Sequence, residues 1–252
     1  MSPPSLATRE AVREQLFSEV WTRDLNTVFA DVAPYYDQAN YVASLGLWGW
    51  FRERFLDTIP VRPGNRVLDV CAGTNAIGIG LLQREPTLDV HAIDRSDAMQ
   101  KVGQERAKAR GLHIDSTIQD VHELPFPDNH FDVVTLQFAS RHLRVKRVFS
   151  EIHRVLKPGG HFHHCDMLRP ANPVVETLYY TYLKFCLTFT AVVFNSGAAA
   201  LNCRKYFIDA LQMFYSAEEL STVLRDLGFS GVRHETVFAG MMAFHSATKP
   251  LR

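Results

Sequence analysis

The sequence predicts an α/β fold with a Rossmann-like, seven-stranded, mostly parallel sheet flanked by helices. From Arg66 onward, short apolar runs alternate with helical segments, which is typical of a parallel sheet with right-handed crossovers. The 252 residues, 46% of them hydrophobic, suffice for one such domain with additions. We therefore predict an N-terminal helical cap over residues 1–60 and an α/β domain over 61–252, with a helical lid insert at 171–206.

The predicted cap contains two helices. Residues 6–30 carry apolar side chains at helical spacing, from Val12 to Val28. Pro34 is expected to break this helix, and the aromatic and polar stretch 29–40 reads as a loop. A second helix resumes at Leu47 and ends before Pro60.

The predicted α/β domain follows in regular order. Ser96 is a candidate helix cap, and Ser216 with Glu219 predicts a capping box for a later helix. The predicted strands cover residues 66–71, 88–94, 113–118, 131–137, 160–167, 231–238 and 240–247, the last two forming a hairpin. The predicted helices of the core cover residues 75–84, 97–110 and 145–156.

The stretch from Arg66 to Gly78 predicts a strand, a tight turn of small residues and a new helix, which presents free N–H groups to a ligand. Asp94 ends the second strand, where a carboxylate can accept hydrogen bonds from ribose hydroxyls. Asp69 lies at the mouth of the turn, where it would repel a diphosphate but attract an ammonium or sulfonium. The turn also lacks the three-glycine dinucleotide pattern, so S-adenosylmethionine is favoured over NAD.

Two more positions follow predicted strands. Asp120 can accept a hydrogen bond from an adenine amino group, with the backbone N–H of Val121 facing the ring; the alternative is a solvated loop acid. Arg141 and His142 leave the fourth strand as a candidate active-site edge, and the alternative is a surface ion pair.

Several motifs together resemble the class I S-adenosylmethionine-dependent methyltransferases, and most closely the ubiquinone/menaquinone-biosynthesis C-methyltransferase family. The matching segments are Asp69–Thr74, Leu124–Asp132, Arg154–Gly160, Tyr36–Gly46, Phe138–His142 and Arg204–Phe207. The resemblance implies S-adenosyl-L-methionine as the cofactor. The expected cofactor-binding residues are Asp69, Cys71, Ala72, Gly73, Thr74, Asn75, Asp94, Arg95, Asp120, Val121 and Gln137. The expected catalytic residues are Tyr36, Arg141, His142 and Tyr206.

Most departures from this family lie in the segments that are expected to bind the methyl acceptor, and one lies in the cofactor loop. Asn75 replaces the last glycine of the cofactor loop, and asparagine tolerates a left-handed backbone better than most residues. His142 replaces an asparagine, and Arg204 replaces a tyrosine. Trp48, Phe51 and Ala39 replace a histidine, a tryptophan and a methionine.

Methyl transfer to a ring carbon requires an ionised phenol held in line with the methyl group. Arg141 stays protonated and is expected to stabilise the phenolate, while His142 is expected to accept the proton. Tyr36 and Tyr206 would orient the ring oxygens. The aromatic segment 173–206 predicts a lid for an apolar, prenylated acceptor, with a buried helix or a dimer contact as alternatives.

Composition excludes other classes of protein. Lys+Arg and Asp+Glu are both 27, so no electrostatic argument favours nucleic acid as a partner. The longest apolar region, Leu178–Phe194, is too short and polar for a membrane span, although a peripheral membrane contact and a homodimer stay open. Four scattered cysteines and the lack of an apolar leader indicate a reducing cytoplasm. His161, His163 and Cys165 share a strand face, but without further ligands we predict no metal.

Two alternatives to the C-methyltransferase remain at this level. One is a natural-product O-, N- or C-methyltransferase built on the same core. The other is a cofactor-binding subunit of a biosynthetic complex that performs no turnover, and Asn75 is the residue that keeps it open.

Overall fold

The computed structural model describes residues 5–16, 27, 29–193 and 207–251. Its centre is a seven-stranded sheet in the order β3-β2-β1-β4-β5-β7-β6. Only β7 runs antiparallel to its neighbours, which confirms the predicted, mostly parallel sheet. The strands are β1 Arg66–Val70, β2 Asp89–Asp94, β3 Asp115–Ile118, β4 Phe131–Gln137, β5 Leu156–Met167, β6 Ser230–Val237 and β7 Met242–Thr248.

Helices cover both faces of the sheet. Those described in full are α1 Leu6–Leu16, α2 Tyr36–Ala43, α3 Trp48–Asp57, α4 Ala76–Arg84, α5 Asp97–Lys108, α6 Val145–Val155, α7 Pro173–Val193 and α8 Ala217–Asp226. Residues 29–32 and 207–212 are also helical. Short 3₁₀ turns lie at Ala33–Tyr35, Ser140–His142 and Phe238–Gly240.

The sheet separates two apolar cores because successive side chains of a strand point to opposite faces. Leu68 of β1 and Phe162 of β5 pack under α6 and α8. Val67 and Cys165 pack on the other face, under α3 and α4. This confirms the alternation predicted for β5.

Two expected boundaries in the cap and the sheet were wrong. Pro34 does not open a loop: it lies in the first turn of the 3₁₀ segment Ala33–Tyr35, and α2 follows directly at Tyr36. Proline is tolerated there because the first N–H groups of a helix have no intrahelical partner. The fifth strand begins at Leu156 rather than 160, and Gly159, at φ +78°, lies within it and donates its N–H to Lys249 O.

Of the helix predicted over 6–30, the structure describes α1 and residues 29–32, and both parts are helical. Residues 17–26 and 28 lie outside the described part. Both predicted helix caps are confirmed. Ser96 Oγ accepts from Met99 N, and Ser216 with Glu219 forms a complete capping box at the start of α8.

Hydrogen bonds and ion pairs of arginine side chains connect the N-terminal helices to the core. The Arg9 guanidinium donates to Phe214 O and to the Glu219 carboxylate. Arg13 donates to Leu143 O over 2.9 Å, and Arg106 of α5 is paired with Asp37 of α2. Of the helices described, none has the length and hydropathy that a bilayer crossing requires.

Candidate active site

Two adjoining cavities lie at the carboxyl ends of β1 and β4, where the strand order reverses and ligands of such sheets bind. The first, here called the polar cavity, is lined by the β1–α4 loop and by the ends of β2 and β4. The second, the apolar cavity, has a volume of about 440 Å³ and lies under α2, α3 and α7. They share four lining residues, which are Phe29, Tyr36, Trp48 and Phe138.

The β1–α4 loop turns through left-handed backbone conformations. Cys71, Gly73 and Asn75 have φ values of +55°, +53° and +57°. Glycine adopts such angles without steric cost, whereas a cysteine there is strained. The result is a tight loop in which Cys71, Ala72, Gly73 and Thr74, all predicted to bind the cofactor, line the polar cavity.

Asn75 adopts the left-handed conformation that the sequence analysis expected of it. Its side chain is buried against α5, where Oδ1 accepts from Gln100 Nε2 over 2.9 Å and the amide lies over Gly103. Asn75 does not line the polar cavity, and its role in cofactor binding stays a prediction. The side chain that replaces the family's glycine is therefore accommodated behind the loop, against α5.

Asp69 is a buried carboxylate with one oxygen available to a ligand. Thr135 Oγ1 donates to Asp69 Oδ1 over 2.7 Å, but Asp69 Oδ2 has no hydrogen-bond partner. Burial raises the pKa of Asp69 to about 7, opposed by the hydrogen bond from Thr135. Gln137 Nε2, in the same cavity, is also buried without a hydrogen-bond partner. An acceptor and a donor side by side fit the ammonium and carboxylate of an amino acid.

Asp94 organises the end of β2. Its two oxygens accept from Gly73 N over 2.9 Å and from Ser96 N over 2.8 Å. Burial raises its pKa, and these two backbone bonds lower it. Asp94 and the neighbouring Arg95 line the cavity, where the remaining acceptor positions of the carboxylate suit ribose hydroxyls.

Asp120 lies beyond β3 at the far end of the polar cavity, beside the predicted Val121. His122 Nδ1 lies 2.5 Å from Asp120 Oδ1, and the His122 backbone N–H donates to the same oxygen. The side-chain bond to His122 lowers the pKa of Asp120 to about 2. Because His122 Nε2 accepts from Arg144 N, its proton is on Nδ1. The sequence analysis missed His122, although its spacing of two residues from Asp120 was a signal.

Arg141 and His142 are adjacent in sequence but face different cavities. Arg141 lines the apolar cavity and His142 the polar one. Arg141 Nη1 donates to Asp166 Oδ1 over 2.6 Å and to Phe138 O over 2.8 Å. The 3₁₀ turn that carries both residues therefore places the Arg141 guanidinium, paired with Asp166, at the wall of the apolar cavity.

Asp166 is fully buried and anchors this turn. It accepts from Ser140 N, Ser140 Oγ, Arg141 Nη1 and Met167 N, at 2.6 to 2.8 Å. Ser140 Oγ also lies 2.8 Å from His164 Nε2, whose Nδ1 lies 3.4 Å from His245 Nδ1. Asp166 lies behind Arg141 and does not line either cavity.

His142 is buried between two aromatic rings. Its ring centroid lies 6.0 Å from that of Phe29 and 5.2 Å from that of Phe207, both in edge-to-face geometry. Burial, followed by the charges of Arg141 and Arg13, lowers the pKa of His142 well below 6.5. The His142 imidazole is therefore a weaker base than that of a free histidine. The ring is neutral at physiological pH.

Tyr36 lines both cavities, and burial raises its pKa to about 12. Trp48 stacks on Phe138 with ring centroids 5.0 Å apart, and Phe138 has a strained φ of +54°. The nearby Trp50 does not line the apolar cavity and is 47% exposed. The predicted catalytic residue Tyr206 lies outside the described residues.

Helix α7, in the segment predicted to be a lid, forms one wall of the apolar cavity. Tyr179, Tyr182, Leu183 and Cys186 line it. The Tyr182 hydroxyl donates to Ala43 O over 2.6 Å, which ties α7 to the end of α2. The helix from the insert and the helix from the cap thus meet across the cavity.

A sheet of this order, with Asp69 in β1, Asp94 at the end of β2 and Asp120 after β3 around one cavity, is typical of class I S-adenosylmethionine-dependent methyltransferases. The chain belongs to the ubiE/COQ5 methyltransferase family, whose sequence model matches residues 18–249. S-adenosyl-L-methionine is therefore its cofactor.

Known proteins agree with this assignment. The ubiquinone/menaquinone biosynthesis C-methyltransferase UbiE of Ectopseudomonas mendocina is 34% identical over 232 residues, 88% of each chain. Its counterpart in Cereibacter sphaeroides is 30% identical over 225 residues, covering 88% of this chain and 89% of the relative.

Solved structures share the fold. Phosphoethanolamine N-methyltransferase 2 of Haemonchus contortus, in complex with S-adenosyl-L-methionine, matches with a TM-score of 0.60 at 19% identity, over 81% of this chain and 53% of that one. A SAM-dependent methyltransferase of Aquifex aeolicus matches with a TM-score of 0.55 at 20% identity, over 78% of this chain and 88% of that one.

Proposed function

We propose that this enzyme methylates a ring carbon of a small, apolar, phenolic or quinol-like acceptor. The observation that carries the proposal is the apolar cavity of about 440 Å³, which borders the polar cavity and contains the Arg141 guanidinium. That volume lies within the range of small-molecule sites. The relatives named above are C-methyltransferases of ubiquinone and menaquinone biosynthesis, which supports an acceptor of the same chemical class.

The cofactor, when bound, supplies a methyl group on a positively charged sulfur. We propose that Asp69 holds its ammonium, Gln137 its carboxylate, Asp94 its ribose and Asp120 its adenine amino group. The proposal fits the side-chain environment, because Asp69 Oδ2 and Gln137 Nε2 are buried and still lack partners. The shared wall of Phe29, Tyr36, Trp48 and Phe138 would align the two ligands.

Ionising a phenol of pKa ~10 at neutral pH costs roughly 4 kcal/mol. We propose that Arg141 offsets this cost, because a guanidinium stays charged and is strongly felt in an apolar cavity. Neutral His142 accepts the proton, directly or through a water molecule. Tyr36 and Tyr206 orient the ring oxygens, and the cap and the lid insert together exclude water from the reaction.

The non-catalytic alternative loses its main argument. It rested on Asn75, which replaces the last glycine of the cofactor loop. Asn75 takes up the left-handed conformation that was expected of it and leaves the cavity lining to its neighbours. We further propose a cytoplasmic location, which the unbonded thiols of Cys71 and Cys165 support.

Two measurements test the proposal. Calorimetric titration with S-adenosylmethionine and S-adenosylhomocysteine should show micromolar binding that Asp94→Ala abolishes. Mass spectrometry of a geranylated hydroquinone after incubation should then show the gain of one methyl, and NMR should place it on carbon. Transfer only to oxygen, or cofactor binding without transfer to any phenolic acceptor, would refute the proposed reaction.

A further inference from the structure

His122 lies between the polar cavity and the first residues of α6. Its Nδ1 is 2.5 Å from Asp120 Oδ1, and its Nε2 is 3.0 Å from the backbone nitrogen of Arg144, the N-cap residue of α6. The imidazole lines the polar cavity, and its side chain is 20% exposed. One ring therefore connects the loop after β3 to the helix that follows the Arg141 turn.

The two contacts of His122 fix its tautomer. A backbone N–H can only donate, so the N–H of Arg144 requires a bare Nε2. The neutral imidazole then carries its single proton on Nδ1 and donates it to Asp120 Oδ1. Because the two ring nitrogens have different partners, a substitution can remove one contact and keep the other.

The Asp120 carboxylate is held at one oxygen and open at the other. Oδ1 accepts from both the side chain and the backbone N–H of His122, and within the described part of the chain Oδ2 makes no hydrogen bond. Asp120 lines the polar cavity with a side chain that is 47% exposed, so the carboxylate is accessible to a ligand. The hydrogen bond from the His122 side chain lowers the pKa of Asp120 to about 2, which keeps it an ionised acceptor at neutral pH.

We propose that His122 is a positioning residue for the cofactor: it holds Asp120 Oδ1, so that Oδ2 faces the adenine amino group and selects adenine over a 6-oxo purine. The inference rests on the role proposed above for Asp120 and deepens it. An amino group donates to a carboxylate, whereas a 6-oxo group turns lone pairs toward it. A site that fixes such an acceptor rejects the analogue that lacks the donor, and a carboxylate free to rotate into solvent rejects it less.

The test is calorimetric titration of the full-length protein with S-adenosylhomocysteine and with S-inosylhomocysteine, its 6-oxo analogue. His122→Asn keeps a donor at the position of Nδ1 and loses the contact with Arg144. His122→Gln keeps an acceptor near the position of Nε2 and loses the contact with Asp120. His113→Ala is the matched control, since His113 is also paired with an aspartate two residues away, Asp115, but outside both cavities.

We expect His122→Gln to weaken S-adenosylhomocysteine binding roughly tenfold and to leave S-inosylhomocysteine binding unchanged, so that the preference for adenine falls by the same factor. His122→Asn should keep the wild-type preference, although urea unfolding should show it to be the less stable of the two variants. A purely structural role of His122 predicts the reverse order, because affinity would then follow the contact with Arg144. His113→Ala should bind both ligands as the wild type does.

Wild-type affinity of His122→Gln for S-adenosylhomocysteine would overturn the inference, as would equal losses in the two His122 variants or equal binding of both ligands to the wild type. Asp120→Asn separates this inference from the role proposed for Asp120. A preference for adenine that survives Asp120→Asn would refute the adenine contact itself. A preference lost in Asp120→Asn but not in His122→Gln would refute only the role of His122. None of these results depends on methyl transfer, so the proposed reaction is tested separately.

Discussion

The amide of Asn75 occupies the space that a side chain on Gly103 would need. A Cβ on Gly103 would lie 2.8 Å from Asn75 Cγ and 2.9 Å from the backbone carbon of Thr74. The asparagine in the cofactor loop and the glycine in α5 therefore fit only as a pair. The loop keeps its shape because α5 leaves room behind it.

Gly103→Ala is expected to destabilise the protein by about 1–3 kcal/mol, since overpacking forces the loop or α5 to move. Asn75→Gly/Gly103→Ala should recover part of this loss, because glycine accepts the φ of +57° and vacates the space of the amide, while the Thr74 backbone carbon stays 2.9 Å from the new Cβ. Urea unfolding measures both, and Gly49→Ala, at an open position of α3, should be neutral or stabilising. Additive effects of the two changes would contradict the pairing.

Asp69→Asn should separate stability from cofactor binding. The folded pKa of Asp69 is about 7 and its ordinary value 3.8, so between these values the folded state binds more protons. Stability from this group consequently falls as pH rises through that window. We expect Asp69→Asn to raise the free energy of unfolding by about 2–4 kcal/mol at pH 8 and to have no effect below pH ~4.

Asp69→Asn should also abolish measurable S-adenosylmethionine binding by calorimetry. In the wild type, affinity should weaken as pH drops below about 7, because the protonated carboxyl no longer attracts an ammonium. Asp115→Asn, at an exposed carboxylate outside the cavity, is the control. A pH-independent wild-type affinity would be inconsistent with the assigned role.

Asp166→Asn is expected to be strongly destabilising, by about 3–5 kcal/mol, because it leaves the Arg141 charge buried without its counter-ion. Thermal and urea unfolding measure the effect. Glu235→Gln breaks the exposed pair with Arg54 and should cost less than about 1 kcal/mol. Similar costs for the two variants would show that Asp166 does not anchor the turn.

At saturating S-adenosylmethionine, the pH profile of kcat/KM for the acceptor should show no inflection near 6.5, since burial keeps His142 neutral far below that pH. If His142 accepts the acceptor's proton, His142→Ala should lower kcat by about 100-fold and leave cofactor affinity unchanged. Unchanged turnover in His142→Ala would refute the base role. Recovery in His142→Asn would make the residue a positioning group instead.

Much of the architecture could be predicted from the sequence. The alternation of strands and helices, the caps at Ser96 and Ser216, and the cavity-lining loop from Cys71 to Thr74 all follow local rules of period, turn and capping. The errors at Pro34 and Gly159 arose where proline and glycine have a second use, in the first turn of a helix and within a strand. Local composition does not distinguish those uses.

The sequence by itself determined the sheet, the cofactor loop and the acidic positions around the polar cavity, because each depends on residues close in the chain. The tertiary structure alone decided that Arg141 and His142 face different cavities, that Asn75 packs behind its loop, and that His122 connects Asp120 to the start of α6. Those facts depend on which distant elements meet: α5 behind the loop, Asp166 beneath Arg141, and α6 beside the loop after β3. Burial and pKa follow from such contacts, and neighbours remote in sequence supply them.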